Sequence, residues 1–171
     1  MDRQFRQFQL DQRARAEQAF HKAQAEMLEV AFRAEIAITS VVAARLGRDT
    51  PQIIRLQDQA LPQLSIPARL RLLREIMDEE SWSDDFPFVV PVLERLFAIR
   101  NTLAHSLTSS FGEQDGGDWS FTRASTRRVE SFSISKLTYI SRAAERAIIS
   151  LHFIWVRSMP KSFWLDKSPA S

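Results

Sequence analysis

A chain of 171 residues with 44% hydrophobic and 26% charged side chains has the size and composition of one globular domain, which excludes a disordered chain, a collagen-like repeat and a disulfide scaffold. It holds no cysteine, three histidines and four glycines, so thiol nucleophiles, cysteine zinc sites and glycine-rich nucleotide loops are excluded as well. The net charge of +2 conceals a local asymmetry. Residues 49–118 contain 6 basic and 12 acidic side chains, whereas residues 119–158 contain 7 basic and 2 acidic ones. Of the 23 basic residues, 19 are arginine. Arginine is the residue of bidentate phosphate recognition, although a GC-rich coding bias produces the same excess.

The chain opens on Met1-Asp2-Arg3-Gln4-Phe5, without the apolar run of a signal peptide. No stretch reaches the ~18 apolar residues of a membrane span. A cytoplasmic protein with no membrane partner is expected.

Residues 3–46 place apolar side chains at Phe5, Phe8, Phe20, Met27, Val30, Ala31, Ala34, Ile38, Val41, Val42 and Leu46. This spacing predicts one very long helix, or two with a bend near residue 25. The first twenty residues are rich in Gln and Arg and poor in apolar anchors, so they are expected to fray or to pack on a partner. Gly47 marks the stop, as glycine does just past helix ends. Thr50 as cap and Pro51 at the first helical position predict a short helix to about residue 59, ended by Pro62. Ser65-Ile66-Pro67 starts another, with Leu70, Leu73, Ile76 and Met77 on one face. Residues 78–85 read as a solvated acidic connector. A further helix begins near Pro87 or Pro91 and runs to about residue 109.

Residues 112–118 read as a loop. Alternation at Trp119–Arg123 and at Val129–Phe132 predicts a short β-hairpin near residues 119–132. A final helix is capped at 132–135 and buries Leu137, Ile140, Ala144, Ala147, Ile148, Leu151 and Ile154. The expected architecture is therefore an all-α helical bundle over residues 1–158 with a tail over 159–171. The aromatic pair Phe163 and Trp164 in that tail needs cover, which a partner chain would provide.

The chemistry-bearing residues lie on the central helix, at Arg100-Asn101-Thr102-Leu103-Ala104-His105. With Arg100 at 0°, Asn101 falls at about 100°, His105 at about 140° and Glu94 at about 120° on a helical wheel. Asn101 and His105 thus share a face, being four residues apart. Val89, Leu93 and Leu96 cluster on the Arg100 side. Arg100 occupies a position where the apolar stripe calls for leucine, and an ionised guanidinium there costs several kcal/mol unless it is paired or reaches an edge. Histidine exchanges protons near neutrality, arginine stabilises charge building on phosphorus, and asparagine orients an imidazole or a phosphate oxygen. The three together suit phosphodiester chemistry. Glu94 reads as a salt-bridge residue, and His21 and His152 as structural or solvent-facing.

The string Ile99-Arg100-Asn101-Thr102-Leu103-Ala104-His105-Ser106 resembles the signature of the HEPN superfamily, an Arg followed by a polar residue and, four to six residues after the Arg, a His. Spacing alone does not discriminate, because Arg15 and Arg146 stand six residues before His21 and His152. The polar neighbour does: Arg15 and Arg146 are followed by Ala16 and Ala147. The resemblance extends over residues 20–157, with its sharp part six residues long. It implies a HEPN-like bundle, a homodimer that joins two copies of the motif, and RNA cleavage without metal or cofactor. Arg100, Asn101 and His105 would be catalytic. Toxins of toxin–antitoxin pairs and anti-phage nucleases belong to this superfamily, which implies an antitoxin or regulatory partner. Arg123, Arg127 and Arg128, which follow the motif helix, are candidates for RNA contact. The competing expectation is a non-enzymatic regulator similar to the mannitol-operon repressor family, acting through protein binding.

Overall fold

The computed structural model describes residues 3–104, 110–113, 119–125, 128–160 and 163, with side chains described for 6–104, 131–160 and 163. Helix α1 runs unbroken from Arg3 to Leu46, with no bend near residue 25. It has two regimes. Residues 6–19 carry no buried side chain, and burial begins at Phe20 and recurs at Ala23, Met27, Val30, Ala31, Ala34, Ile38, Val41 and Val42. This is the three-four spacing of a helix that buries one stripe.

Helix α2 (Thr50–Arg55) turns back along α1. Its cap is Asp49, one residue earlier than the sequence suggests: the Asp49 carboxylate accepts from the Gln52 amide at 2.8 Å. Thr50 and Pro51 instead fill the first turn. Asp competes well for this position because its carboxylate also meets the positive end of the helix. Gly47 serves by close approach, not by a left-handed backbone. A Cβ there would overlap Ile53 Cγ1 and lie 3.0 Å from the Ala43 carbonyl oxygen. The chain then passes through a π-helical turn (Leu56–Ala60) and a 3-10 turn (Leu61–Gln63) that contains Pro62.

Helix α3 (Ile66–Glu79) starts at the Ser65 cap and buries Leu70, Leu73, Ile76 and Met77, together with one unexpected residue, Arg69. Arg69 meets Glu35 and Thr39 of α1, and Arg45 meets Glu80, so α3 runs parallel to α1. The acidic segment is more than a connector. Ser81 takes a left-handed φ of 59°, helix α4 (Trp82–Asp85) follows, and the Trp82 indole is buried against the core. An apolar side chain of that size inside an acidic run anchors it.

Helix α5 (Val89–Ala104) returns antiparallel to α3, as the Arg74–Glu94 pair and the Pro67–Asn101 end of the shared groove require. Strands β1 (Ser110–Glu113), β2 (Trp119–Ser125) and β3 (Arg128–Ser133) form an antiparallel sheet in that order. In the β2–β3 hairpin Phe121 lies opposite Phe132, and Arg123 opposite Glu130. β1 was not foreseen, because its four residues run straight into the glycine-rich stretch read as a loop. The Ser133 hydroxyl accepts from the Lys136 amide and starts helix α6 (Ile134–Ser158).

Helix α6 lies along α1, with Arg33 facing Glu145 at 3.7 Å, and its far end meets Asp85 through Arg157 at 3.6 Å. It is therefore parallel to α1 and antiparallel to α5. One apolar core joins α1, α3, α5 and α6 and takes in Ile53, Leu61, Trp82, Phe132 and Met159. Phe163 packs against this same core, so its cover comes from the chain's own helices. The fold is all-α with a small sheet inserted between α5 and α6. Among the described residues no helix is long and apolar enough to cross a membrane.

Because α6 starts level with the first buried turns of α1, residues 3–19 project past the bundle by roughly 25 Å. The C-terminus of α5 lies at this same end.

Candidate functional site at the end of α5

Helix α5 buries Val89, Val90, Leu93, Leu96, Phe97, Ile99 and Leu103. Arg100 falls within that stripe, four residues from the helix end, and its side chain is only partly buried. The guanidinium escapes the cost of full burial by reaching the edge, where its Nη1 donates to Asn101 Oδ1 at 3.0 Å. Asn101 is exposed. Among the described residues no carboxylate pairs with Arg100, and nothing accepts from the Asn101 amide nitrogen. The pair thus presents a cation and two amide donors at one end of the bundle.

Asn101 also lines a groove of about 430 Å³ between α3 and α5. Glu94, Phe97, Ala98 and Asn101 form its α5 wall, and Ile66, Pro67, Leu70, Arg71 and Arg74 its α3 wall. Glu94 is held by Arg74 at 2.7 Å, both about half exposed, so it acts as a salt-bridge partner.

The other candidates are placed less fully. His105 and Arg127 lie outside the described residues. Arg123 sits on β2, opposite Glu130, and Arg128 sits on β3 opposite Ser125, at the turn end of the hairpin. Residues 105–109, 114–118 and 126–127, which lead to these strands, are outside the described set too. His21 is exposed, with the Phe20 ring edge-on at 6.2 Å, and His152 is exposed beside Trp155 at 5.7 Å. Among the described residues no three His, Asp or Glu side chains converge as metal ligands.

Sequence reasoning missed two residues. Arg69 is the more buried arginine, at 5% exposure, and is clamped by Thr39 Oγ1 at 2.9 Å and Glu35 Oε1 at 2.6 Å. The signal was present: Ile66, Arg69, Leu70, Leu73, Ile76 and Met77 share one helical stripe. Arg71 was passed over because it interrupts no such stripe. It is exposed and unpaired among the described residues, yet it lines the same groove as Asn101, from the α3 wall.

Compared with known proteins, the chain matches no family model, no curated protein and no solved structure.

Proposed function

We propose that this chain is an endoribonuclease of the HEPN type that cleaves RNA without a metal ion, acting as a homodimer and restrained in its host by an antitoxin-like partner. The observation that carries the reading is the Arg100–Asn101 pair: a partly buried guanidinium without a carboxylate partner among the described residues, near a helix end, within the string that also supplies His105. An arginine kept for the fold is normally locked to an acid, as Arg69 is.

In this mechanism His105 of one protomer takes the proton of a ribose 2′-hydroxyl. The 2′-oxygen attacks phosphorus, and the bond from phosphorus to the 5′-oxygen breaks. The second protomer's His105 protonates that leaving oxygen. The products are a 2′,3′-cyclic phosphate and a 5′-hydroxyl. Arg100 binds the phosphate and stabilises the charge that grows on it in the transition state. Asn101, tied to Arg100 through its carbonyl oxygen, fixes the guanidinium and offers its amide nitrogen to a phosphate oxygen.

The test is RNA cleavage by the purified full chain with and without EDTA. Cleavage that persists in EDTA, leaves cyclic phosphate ends and disappears in His105→Ala with unchanged melting supports the reading. A folded wild-type dimer that leaves structured and single-stranded RNAs intact overturns it.

A second reading, a protein-binding regulator, is favoured by one surface. Exposed Ile36 lines a groove of about 370 Å³ between α1 and α6, and the same two helices expose Phe32, Ile149, Phe153 and Val156 on their outer faces. Exposed apolar side chains gathered in this way mark interaction surfaces. Under that reading, substitution on this face abolishes partner capture and His105→Ala does not.

A further inference from the structure

We propose that the groove between α3 and α5 is a nucleobase subsite, which holds the base of the nucleotide whose phosphate meets Arg100. The inference rests on the ribonuclease reading and adds to it where the enzyme would read its substrate.

The groove has the build of a small-ligand site. Its volume of about 430 Å³ falls within the ~300–1,000 Å³ of such pockets, and such pockets combine apolar walls with a few placed polar groups. The floor is Leu70 and Phe97, both nearly buried, and the side wall is Ile66 and Pro67. Ala98 is small and exposed midway along α5, which leaves room for a flat ring to lie across the helix. Asn101 stands at one end. Its carbonyl oxygen is occupied by Arg100 and one amide N–H is assigned to the phosphate, so the second N–H is left to donate to a ring nitrogen or an exocyclic oxygen of a base. Arg71, on the opposite wall, carries a planar guanidinium free to stack on that ring.

Charge along the groove sets the ligand's direction. At the far end the Arg74–Glu94 pair is closed and neutral. At the near end stand Asn101 and its bonded neighbour Arg100, Arg71 lies between the two ends, and among the described lining residues the one acid is Glu94. A phosphate is attracted to the near end and a neutral base fits the rest. A partner helix suits the groove poorly, because none of the large exposed apolar side chains lines it. The α1–α6 groove is the opposite case, with exposed Ile36 on its rim.

The test is binding of fluorescein-labelled RNA hexamers, each of a single base type, to wild type, Ala98→Phe and Arg71→Ala. Melting curves and sedimentation of each variant are recorded alongside. Ala98 is exposed, so the added ring fills the groove without entering the core. Wild type is expected to prefer one of the four hexamers. Ala98→Phe is expected to weaken that preferred hexamer by about tenfold and to level the four affinities, a loss in the range of one base contact. Arg71→Ala is expected to weaken it severalfold. Ala98→Phe with wild-type affinity and preference overturns the subsite and leaves the ribonuclease reading standing. Wild type that binds no hexamer overturns both. Ala98→Phe that splits a dimer while RNA binding is unchanged assigns the groove to a second copy of the chain and also overturns the proposal.

Discussion

Two arginines sit in the apolar stripes of two neighbouring helices, and the fold treats them differently. Arg69 of α3 points at α1, where Thr39 and Glu35 wait at 2.9 and 2.6 Å. Its Nε atom is left without a partner, a sign of how closely the helices enclose it. Arg100 of α5 lies in its stripe near the helix end and, among the described residues, binds only its neutral neighbour Asn101. A buried guanidinium committed to a carboxylate on the next helix has no capacity left for a ligand. One held by an amide keeps its full charge and most of its donors. The comparison separates an arginine that registers two helices from one available for phosphate.

The largest effect is expected where Glu35 holds the buried Arg69. Glu35→Ala strands the Arg69 guanidinium and should lower unfolding free energy by about 3 kcal/mol, while adding Arg69→Met to the same chain should recover most of it. Chemical denaturation of the two variants checks this, and equal losses in both would show that the pair is not the source. Next comes the close approach that lets α2 fold back on α1. Gly47→Ala drives a methyl group into Ile53 and should cost about 1–3 kcal/mol by the same measurement. The smallest effect on stability is expected at the other arginine. Arg100→Ala removes a partly buried side chain with one hydrogen bond to a neutral amide, and the unfolding free energy should change by less than about 0.5 kcal/mol.

Much of the fold was legible because its helices bury stripes that repeat every three to four residues. Phe20 through Val42, Leu70 through Met77, Val89 through Leu103 and Leu137 through Ile154 each carry that repeat, and each is a helix. The hairpin was legible from alternation at Trp119–Arg123. What escaped depended on partners distant in sequence. Gly47 read only as a helix stop, and the return of Ile53 shows that space, not φ, demands glycine there. Trp82 looked like part of an acidic loop because the helices that cover it are remote. Arg69 interrupts its stripe just as Arg100 does, but the sequence does not reveal that Glu35, 34 residues earlier, would be its partner.

At the candidate site, the wheel set Arg100 in the apolar stripe and Asn101 off it, as the structure has them, and Glu94 is the salt-bridge residue that was expected. The far wall was not legible, because Arg71 becomes part of a groove only when α3 and α5 pack antiparallel. The α1 overhang shows the same limit. Its composition announces exposure, but its position past the end of the bundle follows only from the parallel packing of α1 and α6.

The central claim is that Arg100 is retained for phosphate and not for the fold. The direct measurement is the rate of RNA cleavage by Arg100→Ala at a protein concentration where wild type cleaves readily, with melting followed on the same sample. The account predicts a fall of about a hundredfold or more in rate, as for loss of one group that stabilises transition-state charge, with the melting temperature unchanged. Wild-type cleavage by a normally folded Arg100→Ala protein would contradict it.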